Sequence, residues 1–491
     1  MRIRTNLRVL GHDYNVFSLF THLRNKIEPE FSYLLESIES RHRPLYSFMC
    51  FDPDYILQIK NGNSRASNIR TERGERILSA LESQTPKTTQ SSQLDDRVQN
   101  PIISLDALSE KLPSHVSARP KLFDRQIFYG GYLGLIAYDV VGPWVGFKTS
   151  FENPEILLGM HTHVLIYDHR YRTLLEVKNG LDAKDDEFLD FKRLLDGYRA
   201  SRIRYESTDI KAEEFESNTN QEEFHQMVEK SKKYISEGDI YQVVLSRKVN
   251  CDYDADDTSL YTALRELDPS PYMYYLDFDS SRYVGSSPEP LVSLDGRKVT
   301  TVPIAGTRRR GRSVKDETAM KRELTTDQKE RAEHVMLVDL ARNDISKLAQ
   351  PGTVKTTGFM TVKKFRHVMH LVTKVAGNLR KQYNSIDVLK SVFPAGTVTG
   401  APKIRAMEIV QELEKENRGT YGGAIGYIAL NGDMDWAITI RTLELQRNKA
   451  SVQAGAGIVA DSKPSMEWIE TENKMRSLLK ALSMREVKAA A

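Results

Sequence analysis

Between Gln221 and Ser236 apolar side chains return every three to four residues, at Phe224, Met227, Val228 and Tyr234, and Gly238 follows as a stop. That period predicts a helix. After Gly238 the pattern changes to β-branched and aromatic runs: YQVVLSRKV, YMYYLDF, YVGSSPEP, LVSL and KVTTVPIAG. These are expected to be strands. One long charged helix is expected over 316–345, and another after GAPK, from about Ile404 to Leu413. Three strand-like runs then follow, GGAIGYIAL, MDWAITIRTLELQ and KASVQAGAGIVA, and a last helix starts near Ser465.

The N-terminal half of the chain is less dense. Residues 1 to about 60 form a short α/β lead-in, and residues about 61–120 are polar and turn-rich around SQTPKTTQSSQLDD. Such a composition predicts a surface insertion. Strand-like runs return with IFYGGYLGLIAYDVV, HTHVLIYDH and TLLEVKNG, and a charged helix and linker cover about 179–219. Many strands with a few long helices indicate an α+β layered sandwich, not a repeating βαβ fold. The change in density divides the chain into residues 1–219 and 220–491. One echo links the two halves. Tyr129-Gly-Gly-Tyr-Leu-Gly and Tyr421-Gly-Gly-Ala-Ile-Gly share a pattern opening an apolar strand, as two related sheets, one per half, would produce.

Composition narrows the class. The 491 residues are 40% hydrophobic and 28% charged, with net charge +3, which gives no reason to expect a nucleic-acid or membrane partner. The two cysteines, Cys50 and Cys251, offer neither a zinc spacing nor a disulfide framework. The N-terminus lacks an apolar signal core, and the run Ile127–Tyr138 is too short and glycine-rich to span a bilayer. A cytoplasmic enzyme or binding protein is the expectation.

The chemistry concentrates in the last third. Glu330/Glu333 and Glu467/Glu470 are each spaced i, i+3, which puts both carboxylates of a pair on one helix face. Carboxylates are the natural ligands of Mg²⁺, which keeps waters and completes its shell with an anionic substrate. Glu36/Glu39 and Glu213/Glu216 share the spacing, so spacing alone is weak; a solvated helix face produces it as well. Gly455 and Gly457 lie at a strand end before the second pair, and Gly306 and Thr307 lie at another; glycines there let backbone N–H groups approach an anion. The basic run Arg308–Arg312 beside them suits a solvated loop. PAGTVTGAPK opens a helix whose N-terminus attracts anions, where Thr397 and Lys403 would add a hydroxyl and a charge. Arg441 stands mid-strand among apolar residues and needs an anion. His370 is a core histidine unless an anion site adjoins it. His161 and His163 suit structural roles. There is no phosphate-binding loop, dinucleotide fingerprint, zinc-protease motif or nucleophile elbow.

Taken in order, PIAGTRRRG, AEHVMLVDLARNDI, VMHLV, PAGTVTGAPKIRAMEIV, YGGAIGY, IRTL and AGAGIVADSKPSMEWIETENK closely resemble the chorismate-utilising enzymes, nearest to the large subunits of anthranilate synthases. The resemblance is dense over about 221–480 and thinner before it, through YLLES, YSFM and YGGYLGLIAYD. It implies a large layered α/β sandwich of two facing, antiparallel-rich sheets with helices outside. It implies Mg²⁺ held by Glu333 and Glu470, with Glu330 and Glu467 behind them. Arg441 and Tyr421 would take the enolpyruvyl carboxylate, helped by the Gly455 and Gly457 amides. Thr307 and Thr397 would orient the ring, Lys474 would sit beside metal and carboxylate, and His370 would be the acid for loss of the ring hydroxyl. Water-adding relatives place a lysine base where this chain has Gln242, and aminodeoxychorismate synthases often carry a lysine where it has Ala305. Ammonia addition and pyruvate loss, giving anthranilate, is the implied reaction. The other readings are an aminodeoxychorismate synthase and a non-catalytic tryptophan-sensing subunit. Without a glutaminase signature, ammonia would come from a separate glutamine amidotransferase subunit in a hetero-oligomer. Residues 1–219 would be regulatory and residues 220–491 catalytic. YLLES and SPYMYY resemble the family's tryptophan feedback site, with Glu36, Ser37, Pro271, Tyr272 and Met273 as candidates and Glu36 meeting the ligand's ammonium.

Overall fold

The computed structural model describes residues 3–37, 45–60, 63–69, 72–84, 119–120, 122–123, 126–145, 154–180, 188–200, 204–207, 215–254, 257–365 and 368–487. Two large antiparallel sheets pack face to face with helices on the outside. The first sheet runs edge to edge through Arg4–His12, Thr173–Gly180, His163–Asp168, Tyr46–Phe51, Phe31–Glu36, Tyr272–Phe278, Ser281–Ser287, Thr442–Gln446, Lys449–Ile458, Gln242–Asp252 and Glu216–Ser217. The second runs through Ile304–Arg309, Val368–Asn378, Lys298–Thr301, Pro290–Asp295, Met434–Ile438, Ala424–Ala429, Gly131–Ile136, Ile156–His161, Tyr55–Lys60 and Asn63–Ser67. Their inner faces enclose the largest core, with Tyr132, Leu133, Ile166, Leu276, Val292 and Trp436 fully buried. Burial at about 25 cal/mol per Å² makes this interface the main support of the fold.

Each sheet is built by both halves of the chain. The central seams are Phe31–Glu36 beside Tyr272–Phe278 in the first sheet and Gly131–Ile136 beside Ala424–Ala429 in the second, and Glu216–Ser217 adds a short pairing with Gln242–Asp252 at the first sheet's edge. The glycine echo therefore does not mark two separate sheets. Its two strands are antiparallel neighbours, with Gly134 opposite Gly426. Sequence periodicity sees each strand but not its partner, because pairing joins residues far apart in the chain.

Helices begin where local chemistry lets them. The Gln221–Ser236 helix has a reciprocal capping box between Asn220 and Glu223. The stretch expected as one helix over 316–345 is two, Val314–Thr326 and Gln328–Ser346. Asp327 divides them: its extended backbone ends the first, and its side chain accepts the Glu330 N–H to start the second. The expected single strand MDWAITIRTLELQ is also broken. Met434–Ile438 lies in the second sheet and Thr442–Gln446 in the first, so residues 439–441 cross between sheets. Of the polar insertion, 63–67 and 72–84 form a strand and a helix; its centre lies outside the described residues, as does most of 201–214. His161 and His163 end and begin strands in different sheets, and His163 bonds Glu176 at 2.9 Å. Both cysteines are buried. Among the described residues no helix is long and apolar enough to cross a membrane.

Candidate active site

The site forms where the chain changes sheets. One crossover, between strands Ser281–Ser287 and Pro290–Asp295, carries Glu289; the other, residues 439–441, carries Arg441. The crossovers are laced together. Ile438 N–H donates to the Glu289 carbonyl at 3.0 Å, the Ser287 hydroxyl donates to the Ile438 carbonyl at 2.7 Å, and Ser286 N–H donates to the Arg441 carbonyl at 3.0 Å. Arg441 is thus not mid-strand. It holds a left-handed backbone, φ 50°, which a non-glycine residue adopts only when its surroundings enforce it.

Glu289 is a member that the sequence reading missed. The run SSPEP looked like the end of a strand, and the only signal was a glutamate between prolines. Burial pushes its carboxyl up to about 7, against the Thr397 hydroxyl and the Lys474 and Arg441 cations, which lower it. The Thr397 hydroxyl is buried beside Glu289. Lys403, from the same PAGTVTGAPK run, is not free for an anion: its ammonium binds Asp344 at 2.9 Å and the Val392 carbonyl at 3.0 Å.

His370 stands across from Arg441. Its Nδ1 is 2.8 Å from the Gly306 carbonyl and 3.2 Å from the Thr307 hydroxyl. Burial, opposed by the Gly306 contact and helped by the Arg441 and Lys474 charges, lowers its pKa to about 4. The free ring is therefore neutral, with its Nδ1 proton on Gly306 and an unprotonated Nε2. It is poised as an acceptor and not as the acid that the resemblance implied. Gly306 itself has φ 68°, and a Cβ there would come within 3.0 Å of Glu330 Oε2, so glycine is required for this turn to lie on the helix.

The glutamate pairs meet from two helices, Gln328–Ser346 and Pro464–Leu482. Burial raises the Glu333 pKa; Gln242 opposes this, and Glu330 and Glu470 add to it by repulsion. Glu467 is likewise raised by burial, with Glu470 adding to it and the Ser462 hydroxyl opposing. The two faces are therefore close enough to repel. Glu330 is partly neutralised by Arg308 at 2.7 Å, and Arg308 also binds Glu323 and Asp327. The basic run is a set of clamps on neighbouring helices rather than a loose loop; Arg309 holds Asp316 and Arg310 holds Glu317. Glu470 pairs with Lys474 at 2.7 Å, and Lys474 donates to the Gly455 carbonyl at 2.8 Å.

Gln242 closes the floor. Its Nε2 donates to Glu333 Oε1 at 2.9 Å, while its Oε1 is buried with no hydrogen-bond partner among the described residues. A Cβ at Gly457 would lie 2.6 Å from that amide nitrogen, so a side chain there would push the Gln242 amide aside. Tyr421 is buried, and its hydroxyl accepts the Gly455 N–H; burial raises its pKa. Ala305 is buried opposite Leu371, beside His370. The sequence-derived residues Glu330, Glu333, Glu467, Glu470, Gln242, Gly306, Thr307, His370, Thr397, Tyr421, Arg441, Gly455, Gly457 and Lys474 thus converge, joined by direct or electrostatic contacts.

These convergent groups have relatives. A family model described as chorismate binding enzyme matches residues 53–480. The chain belongs to that family. It is 38% identical to anthranilate synthase component 1 of Aquifex aeolicus, over 98% of this chain and 97% of the relative. It is 46% identical to the component 1 of Thermococcus kodakarensis, over 73% of this chain and 80% of that one. The crystal structure of anthranilate synthase component I from Streptococcus pneumoniae superposes with TM-score 0.70 at 32% identity, covering 90% of this chain and 93% of that one. The Escherichia coli isochorismate synthase MenF shares the fold, with TM-score 0.68 at 18% identity, over 98% of this chain and 94% of that one.

A second cavity, of about 320 Å³, opens between the sheets at the seam. Glu36, Ser37, Pro271, Tyr272 and Met273 all line it, together with Tyr427 and Asp435 from the second sheet. Glu36 lies opposite Met273 in the strand pair. Its carboxylate is already occupied by the Tyr261 hydroxyl at 2.7 Å and by Arg265 at 3.1 Å. Asp435, which the sequence reading did not single out, has only the Tyr272 hydroxyl at 3.1 Å opposing burial, which pushes its pKa up to about 7.

Proposed function

We propose that this chain catalyses the component 1 reaction of anthranilate synthase: chorismate and ammonia give anthranilate, pyruvate and water. The observation that carries this reading is the state of Gln242. Its free, buried Oε1 is an acceptor beside the carboxylate pair, suited to hold a nucleophile that already has a lone pair and N–H bonds. A water nucleophile would need a base, and neither Gln242 nor Ala305 is one.

The residues would divide the work as follows. Arg441, Lys474 and the Tyr421 hydroxyl bind and orient the substrate's carboxylates, and Thr307 and Thr397 bracket its ring. Gln242 Oε1 orients ammonia. Glu289, protonated over much of the neutral range, gives its proton to the departing ring hydroxyl, which leaves as water. The ammonium formed on the ring loses a proton, which returns Glu289 to its acid form. His370 Nε2 then takes the proton of the aminated ring carbon as the enolpyruvyl C–O bond breaks and the ring becomes aromatic. It passes that proton to the departing enolpyruvate, which leaves as pyruvate. Mg²⁺ fits the carboxylates: Glu333 and Glu467 are raised in part by like-charge repulsion that a cation would relieve. Glu333 and Glu470 would hold it, with Glu330 and Glu467 behind; bound there, it anchors the substrate's ring carboxylate and balances its charge. Among the described residues no cluster of three or more acidic, histidine or cysteine side chains is arranged as a ligand set.

The component numbering of the relatives supports a partner subunit, here a glutaminase that supplies ammonia. Tryptophan, as feedback inhibitor, suits the second cavity: Asp435 meets its ammonium and the apolar walls take the indole. Pro288 and Pro290, which flank Glu289, line that cavity. A ligand preferring one setting of this crossover over another would act on the proton donor. The test is incubation of the purified chain with chorismate, Mg²⁺ and an ammonium salt at alkaline pH. Anthranilate and pyruvate are expected. Accumulation of 4-amino-4-deoxychorismate or isochorismate without anthranilate overturns the reading.

A further inference from the structure

Asp268 follows the helix Asp257–Leu267, with its N–H on the Leu264 carbonyl. A carboxylate at a helix C-terminus faces the negative end of the helix dipole and is disfavoured there. Its partners explain its place. Both carboxylate oxygens accept from Arg441 Nη1, at 3.2 and 3.1 Å. The Ser477 hydroxyl donates to Oδ2 at 3.1 Å, and the Ser286 hydroxyl donates to the Asp268 carbonyl. Ser477 stands one turn beyond Lys474 on the helix that carries Glu467 and Glu470. Ser286 N–H holds the Arg441 carbonyl. Asp268 is thus tied to the Arg441 side chain, to the strand that holds the Arg441 backbone, and to the glutamate helix.

We propose that Asp268 is a positioning residue for Arg441; this rests on the reading of Arg441 as a carboxylate ligand. Asp268 engages one terminal nitrogen. Among the described residues the Nε and Nη2 of Arg441 make no hydrogen bond, so one edge of the guanidinium is presented for a bidentate carboxylate. Arginine has several rotatable bonds, and ordering them costs entropy on binding. Asp268 orders the side chain beforehand. The two side chains are mostly shielded, 25% and 15% exposed, and Asp268 occupies only Nη1, so a substrate carboxylate on the other edge would not have to displace it.

The experiment compares the parent with Asp268→Ala, Asp268→Asn and Ser477→Ala. Chorismate binding is measured by calorimetry with Mg²⁺ and no ammonia, alongside KM and kcat with an ammonium salt and thermal melting. Asp268→Ala is expected to weaken binding and raise KM by about 10- to 100-fold, with kcat changed far less. Asp268→Asn, which keeps one acceptor oxygen on Arg441, restores part of the loss. Ser477→Ala gives a smaller shift in the same direction, and it keeps the test alive if Asp268→Ala does not fold. A merely structural role would lower the melting temperature and the active fraction and leave KM in place. That outcome, or parental chorismate affinity in folded Asp268→Ala or Asp268→Asn, overturns the proposal. Failure of the parent to form anthranilate would count against the proposed reaction alone, because the binding measurement does not depend on turnover.

Discussion

Glu289 and Arg441 stand on crossovers between the sheets, whereas Glu36, Tyr272 and Met273 stand on paired strands within one sheet. The two regions face the same core and differ in what they leave unsatisfied. At the crossovers, carboxylates from two helices repel one another, a buried glutamate titrates near neutrality and the Gln242 Oε1 has no hydrogen-bond partner among the described residues. In the proposed reaction a cation would relieve the repulsion, ammonia would fill the free Gln242 acceptor and the glutamate would give up its proton. At the seam, Glu36 is neutralised by Arg265 and Tyr261, and a mostly apolar space remains with Asp435 as its principal unpaired charge. A site of the first kind can do chemistry, because charge that changes during a reaction meets groups that are not yet satisfied. A site of the second kind can only hold something. They touch at Pro288 and Pro290, so occupancy of one has a route to the other.

The largest expected effect breaks the first region alone. Glu333→Gln or Glu470→Gln removes an anionic ligand and should cut kcat/KM by more than the roughly 10- to 100-fold that loss of an outer partner costs. Tryptophan binding, read by calorimetry, should stay near the parent value. Parental rates and metal titrations in both variants would place the cation elsewhere.

Glu289→Gln keeps the shape and removes the proton. We expect kcat to fall about 10²- to 10⁴-fold. In the parent, kcat corrected for free ammonia should fall as pH rises through about 7, where Glu289 ionises; the variant should lack that limb. An unchanged profile would move the acid to another group.

The second region is broken by filling it. Ser37→Phe should raise the tryptophan concentration for half inhibition by about tenfold or more, a change of about 1.4 kcal/mol, and leave the uninhibited rate near the parent's. Equal inhibition of both proteins, or none in the parent at millimolar tryptophan, would remove the cavity from regulation.

The smallest effect compares the regions as buried acids. Glu289 and Asp435 both have folded pKa values raised to about 7. Folding favours their protonated forms, so the stability they contribute is present below the unfolded value near 4 and is lost as pH rises through about 7. Melting temperature of the ligand-free chain should decline across that window, and Glu289→Gln or Asp435→Asn should each flatten the decline. A slope unchanged in both variants would assign it to other groups.

Much of this molecule was legible in the order of its residues. Helix periodicity set Gln221–Ser236, because capping and side-chain spacing act within one turn. The i, i+3 glutamates, PIAGT and AGAGIVADS named most of the site, because close backbone approach and ion ligation restrict which residues are tolerated. YLLES and SPYMYY indicated a shared pocket, and their strands are indeed neighbours. Other features depend on residues far apart in the chain. Asp327 splits a continuous helical pattern with a local cap on Glu330 N–H, and Arg308, far back in the chain, holds it there. Arg441 and Glu289 look like strand residues until the strands are assigned to different sheets. His370 loses its expected acidity through burial and the Arg441 and Lys474 charges, and Glu36 loses its availability to Arg265. Local sequence thus specified the elements and the groups able to bind ions. Tertiary structure decided which of those groups stay unsatisfied, because protonation and pairing depend on neighbours and solvent that only the packed sheets supply.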